Sequence, residues 1–194
     1  MRERLAICLL ALALGCTSAE QSGIYMAAEA DTMAVPAISM PPALSAPKDA
    51  EEALTQLTSL QAQARGVVLA MPPAMMNEAI KRRVALIGMG RERAQLLKET
   101  ADPSMVLLAF FHEGGMFHDL SQALIDAPVP EGMTVDQLAI YRELLTKKSD
   151  EIQATAVSFF GECVAVGHAC SKTPECSLTP RATEALRSCE AGRP

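Results

Sequence analysis

The side chains of this 194-residue chain that could do chemistry are few. Cys163, Cys170, Cys176 and Cys189 lie within 27 residues of one another. Thiols at that density either pair as disulfides or hold a metal. Their spacing, C-x6-C-x5-C-x12-C, has no C-x2-C knuckle. That disfavours a zinc site completed by His168, and the missing C-x-x-C disfavours a redox-active pair. In an exported chain an even cluster reads as disulfides. Four cysteines allow three pairings. If the last helix folds back antiparallel on the one before it, the nested arrangement is the natural one. Cys163 then joins Cys189 across the hairpin, and Cys170 joins Cys176 across the loop.

His112, Glu113 and His118 superficially suggest a metalloprotease helix. That chemistry needs histidines four apart on one face. Six residues turn about 600°, so these two diverge, and the sequence reads as polar residues on an exposed helix side. Lys81, Arg82 and Arg83 form a basic run, read as a solvated helix face. Met71, Met75, Met76 and Met89 could serve an adaptable binding surface, but read first as core filling. No phosphate loop, nucleophile elbow or triad spacing occurs. No catalytic residue, cofactor or metal is expected, and the chain reads as a non-enzyme. The net charge of −6 argues against a nucleic-acid partner.

The elements that must position these groups are helical. Hydrophobic residues make up 49% of the chain but aromatics only 4%, with no tryptophan. Ala, Leu and Met must therefore do the burying, which favours helices. Helical periodicity begins at Lys48, with Ala50, Ala53, Leu54, Leu57, Leu60, Ala64, Val67, Val68 and Met71 spaced by threes and fours. Pro72 and Pro73 end that stripe, and Met75, Met76, Ala79, Ile80, Arg83, Val84 and Ile87 carry a second. Gly88 and Gly90 weaken it. Asp102 is a cap ahead of Pro103. Residues 104–126 form the most apolar helix. Thr134 and Gln137 match a capping box. Beyond it, Leu138, Tyr141, Leu144, Leu145, Ile152, Ala156, Phe159, Phe160 and Cys163 fit one long helix, or two with a break near residues 147–150. Thr179 and Pro180 start a final short helix ending near Cys189. Nothing alternates with period two. The sequence predicts an all-α fold of five to seven helices over residues 48–191, with a possible sub-boundary near 101.

The N-terminus reads as an export signal. Arg2 and Arg4 precede an apolar run over residues 5–15, too short to span a bilayer as a mature helix. Ala13, Leu14, Gly15 and Cys16 resemble the lipobox of bacterial lipoproteins, with Ala13 where that class prefers Leu. The resemblance implies cleavage after residue 15 and acylation of Cys16, and several acyl chains anchor stably. The alternatives are a plain secretory signal cleaved near Ala19, giving a soluble secreted or periplasmic protein, and a retained membrane anchor. Loss of Arg2, Glu3 and Arg4 leaves 15 basic and 22 acidic residues, a net charge of −7. Membrane contact is then expected through the lipid alone. Thr17 follows the cysteine, and by analogy with the enterobacterial sorting pattern this points to the outer membrane, facing the periplasm. Residues 17–47 hold Pro36, Pro41, Pro42 and Pro47 without apolar periodicity. They read as a disordered linker with a reach of roughly 30 Å.

The block from Pro103 through Phe110, Phe111 and Phe117, then Ala127, Pro128, Val129 and Pro130, then Gln137, Tyr141, Leu145, Ala156, Phe160 and Cys163, resembles the last repeats of envelope-associated bacterial tetratricopeptide-repeat (TPR) proteins. It covers about residues 92–191. The chain departs from that family in lacking the early Trp or Tyr of each first helix and a clean 34-residue period. The resemblance implies stacked helical hairpins, TPR-like or an irregular bundle, and the cysteine cluster adds a C-terminal hairpin stapled by disulfides. It also implies docking of other envelope proteins, with the concave inner face of the helices as the binding surface. No functional residue follows from it. Together these readings describe a lipid-anchored envelope scaffold for protein–protein interaction. The alternative is a purely structural spacer, and an enzyme or a metal or ligand sensor ranks below both.

Overall fold

The computed structural model describes residues 46–192, and all regular structure there is α-helical. The signal segment 1–15, Cys16 and the linker up to residue 45 lie outside the described residues. Five helices follow in order: α1 (Ala50–Gly66), α2 (Pro73–Lys98), α3 (Pro103–Ile125), α4 (Val135–Ser171) and α5 (Pro180–Glu190).

Local chemistry starts each helix. Asp49 Oδ1 accepts from the Glu52 amide at 2.9 Å, and Asp102 Oδ1 accepts from the Ser104 amide at 2.8 Å. Pro73, Pro103 and Pro180 sit where a missing N–H costs nothing. The capping box is complete: Thr134 Oγ1 accepts from the Gln137 amide, and Gln137 Oε1 accepts from the Thr134 amide. Gly132, with φ of 79°, makes the preceding turn in a conformation that glycine adopts without strain. Two weak points in the sequence pattern do not break helices. Gly88 and Gly90 lie inside a continuous α2, and no break occurs at residues 147–150 of α4.

Helix α3 is the hub, packing against all four others. Contacts also join α1 to α2 and α4 to α5. Successive helices run antiparallel. Lys98 and Gly90 of α2 meet Glu113 and Met116 of α3, and Gly114 and Ser121 of α3 meet Phe160 and Ser149 of α4. Helices α1 and α3 run parallel, since Gln61 meets His112 and Arg65 meets Asp119. This is an all-α stack of hairpins closed by a terminal helix.

One hydrophobic cluster draws on both sides of residue 101, with Leu57, Leu86 and Leu97 before it and Leu107, Phe160 and Ala182 after it. Each such leucine, fully buried, contributes about 1.5–3 kcal/mol. Glycines let the backbones approach. A Cβ on Gly90 would lie 2.6 Å from the Met116 sulfur, and one on Gly114 would lie 2.5 Å from the Phe160 ring. Gly167 is pressed in the same way by Leu186 of α5. The structure joins Cys163 to Cys189, with Cα atoms 6.3 Å apart, and Cys170 to Cys176, with Cα atoms 5.2 Å apart. The C-terminal hairpin is stapled twice.

Candidate functional site

Helix α3 is apolar around most of its circumference, and such a helix is buried on all sides. His112 and Glu113 are consequently inside, 6% and 3% exposed, and not on the exposed helix side that their polarity suggests. His112 Nδ1 shares a hydrogen bond of 2.7 Å with Gln61 Oε1 of α1. Its ring packs edge-on against Phe111, and its Nε2 is buried without a hydrogen-bond partner. Burial, and secondarily the charge of Arg181, push its pKa down to about 4. The imidazole is neutral at physiological pH.

Glu113 pairs with Lys98 of α2, and Arg91 Nε stands 3.9 Å from its other oxygen. Burial raises its pKa against the pull of these two cations. Lys98 Nζ also lies 4.3 Å from the ring centre of Phe110. His118 bonds elsewhere, its Nδ1 sharing a 3.1 Å contact with Gln153 Oε1 of α4. The two histidines thus serve different helix interfaces.

The basic run also divides. Lys81 pairs with Glu78 at the surface. Arg83 is 6% exposed, which corrects its reading as part of a solvated face. It donates from Nε to the Val67 carbonyl at 2.7 Å and from its terminal nitrogens to the carbonyls of Arg65 and Asp119 at 3.2 and 3.1 Å. Two of these carbonyls belong to the end of α1, where intrahelical donors run out. Arg83 is therefore a buried cap locking α1 to α2 and α3. Its place in the apolar stripe of Ala79, Ile80 and Ile87 is the signal that could have revealed this. The methionines divide in the same way, with Met116 in the main core and Met76 packed on a smaller cluster of Leu69, Ala79, Leu124 and Ala127.

The four clustered cysteines are all consumed in disulfides. His168 faces Glu190 at 3.5 Å on the exposed side of the C-terminal hairpin. No group of three or more His, Cys, Asp or Glu among the described residues could hold a metal. No helix among them is long and apolar enough to cross a membrane.

The surface offers a different kind of site. Helix α4 is 37 residues long against 23 for α3, so its first turns extend past the end of the bundle. Tyr141 anchors the overhang, its hydroxyl donating to the Pro128 carbonyl at 3.0 Å and touching the Met76 sulfur at 3.8 Å. Ile140 and Leu144 stand 59% and 57% exposed on the outer side. With Gln137, Met133 and Pro130 they line an open groove of about 470 Å³ between the helix and the preceding loop. A second open cavity, of about 670 Å³, lies beside the Cys170–Cys176 bridge.

No protein-family model, curated protein or solved structure matches this chain.

Proposed function

We propose that this protein is a lipid-anchored cell-envelope protein whose stacked helical hairpins form a non-enzymatic scaffold for docking other envelope proteins. The observation that carries the reading is the outer stripe of α4. Ile140 and Leu144 lie four residues apart on one helix face, exposed among the described residues and beside a groove. An apolar stripe at helical spacing is what a partner helix or loop covers in helix-in-groove recognition. The bond from Tyr141 to the Ala-Pro-Val-Pro loop ties together the residues on which the resemblance to TPR proteins rests. The buried histidine and glutamate support a non-catalytic reading, because each engages an interior partner, His112 through Nδ1 with Gln61 and Glu113 with Lys98, and neither lines the two surface cavities described above. Anchoring rests on residues 5–16.

The test uses the chain expressed with its own N-terminus in a bacterial envelope. A photo-crosslinker at position 140 or 144 should yield discrete adducts with envelope proteins, and one at exposed Val157 should not. The Cys16→Ser variant should lose acylation and leave the membrane fraction. Absence of adducts at both stripe positions in the acylated form would leave the spacer reading in place of the scaffold.

A further inference from the structure

The two disulfides sit in unlike surroundings. Cys163 and Cys189 are 0% and 4% exposed and belong to the main hydrophobic cluster, beside Phe160 and Ala182. A reductant reaches that bridge only if α5 leaves the core. Cys170 and Cys176 instead both line the open cavity of about 670 Å³, together with Pro103, Val106 and Val166. Cys176 is half-buried and lies in the loop between α4 and α5. Rates of thiol–disulfide exchange depend on which sulfur an incoming thiolate can reach.

We propose that the Cys170–Cys176 bridge is a thiol–disulfide exchange site for an exported dithiol oxidoreductase or a small thiol, and that Cys163–Cys189 is a closed structural cross-link. The proposal is independent of the docking face of α4. The incoming thiolate attacks Sγ of Cys176, the less buried of the two residues. A mixed disulfide forms, the bond to Cys170 breaks, and the Cys170 sulfur leaves with the electron pair and takes a proton from water. The second thiol of the dithiol reductant, or a second small-thiol molecule, then displaces Cys176. Two protein thiols and an oxidised reductant result, with two electrons and two protons transferred. Running the sequence backwards closes the bridge.

Opening this bridge frees a short loop and little else. Helix α5 stays held by Cys163–Cys189, by the Thr179 amide donating to Ser104 Oγ at 3.0 Å, and by Arg181 donating to Thr58 Oγ1 at 3.0 Å. The loop's own backbone bonds, from Thr173 to Cys170 and from Cys176 to Thr173, are local turns that can re-form. Exchange thus alters the rim of the cavity while the helical stack persists.

The test is a time course of the purified protein in dithiothreitol, quenched in acid, alkylated and read by peptide mass. Cys170 and Cys176 should be labelled about tenfold or more faster than Cys163 and Cys189, with helical circular dichroism unchanged at that stage. In the Cys170→Ser variant, oxidised glutathione should cap Cys176 as a mixed disulfide. Simultaneous opening of both bridges, prior opening of Cys163–Cys189, or a folded Cys170→Ser protein that takes no glutathione would overturn the proposal. If that variant fails to fold, the labelling order in the unaltered protein decides alone.

Discussion

The two halves of α4 carry similar patterns and live in different environments. In the second half Ser149, Ala156, Phe160, Cys163, Gly167 and Cys170 are buried. From residue 135 to 148 no residue is buried. Leu138, Tyr141 and Leu145 repeat at threes and fours as regularly as Ile152, Ala156 and Phe160 do. What differs is the partner. Opposite Phe160, Gly114 lets α3 come close. Opposite the first half α3 has already ended at Ile125, leaving Met76 and the loop at Pro128 to anchor Tyr141. The length difference between the two helices amounts to roughly 20 Å at 1.5 Å per residue. Periodicity therefore reports that a helix has an apolar side, and the length of the opposing helix decides how much of that side is covered.

The largest expected effect sharpens this contrast at the packed end. Lys98 pairs with buried Glu113 and lies 5.3 Å from the ring centre of Phe159 on α4. Lys98→Met strips a buried carboxylate of its nearest cation, and breaking a buried pair from one side costs about 3–5 kcal/mol. Denaturant unfolding should show that loss. Lys147→Met, on the exposed first half, should stay within about 0.5 kcal/mol. Equal costs would break the contrast as an energetic one.

A pH titration probes the same interior through His112. Its folded pKa, about 4, lies below the ordinary value of 6.5, so the unfolded chain binds the proton more readily. Stability should fall as pH drops through 6.5 and the penalty should be complete below about 4. The shift corresponds to about 3 kcal/mol. Glu113 acts in the opposite sense. Burial raises its folded pKa, so its contribution is largest in acid and is lost as pH rises through that raised value. The difference between the unaltered protein and His112→Gln, measured by thermal or urea unfolding from pH 7 to 4, isolates the histidine. A difference that does not vary with pH would mean the ring is not held neutral by its surroundings.

Gly114→Ala comes next in size. The added Cβ would fall 2.5 Å from a ring that is 2% exposed, so either Phe160 or the α3–α4 spacing must shift. Overpacking of this kind costs about 1–3 kcal/mol. Gly161, whose Cβ would meet nothing within 4 Å, lies on the same packed half of α4 and serves as the control. There alanine should be neutral or stabilising, since it is the better helix former.

The fold was legible because its signals are local. Asp102, Thr134 and Thr179 announce helix starts through their own side chains, and each accepts the capping bond its position suggests. The nested cysteine pairs follow from one antiparallel turn. The interior polar groups were not legible in the same way. His112 and Glu113 look like surface residues because polarity is a property of the residue, whereas burial is a property of the four helices around α3. Gln61 and Lys98, which make that burial tolerable, lie 51 and 15 positions away in the chain. Leu144 shows the converse. It matches the apolar stripe of α4 but projects on the outer side, because Leu145 takes the inward position one residue on.

The smallest stability effect carries the sharpest functional consequence. Ile140→Ser with Leu144→Ser removes apolar surface that is already in water, so unfolding free energy should change by no more than about 0.5 kcal/mol. The same pair should abolish the envelope cross-links formed from neighbouring Gln137. Val135→Ser supplies the internal comparison. Val135 is 84% exposed, yet five residues from Ile140 place it about 140° round the helix, off the stripe. A docking surface confined to the groove predicts that Val135→Ser leaves the cross-links intact. If all three substitutions weaken them alike, the partner reads general hydrophobicity at the end of α4. If the double variant instead loses stability as Lys98→Met does, the overhang is part of the folded core and the two halves of α4 are energetically one.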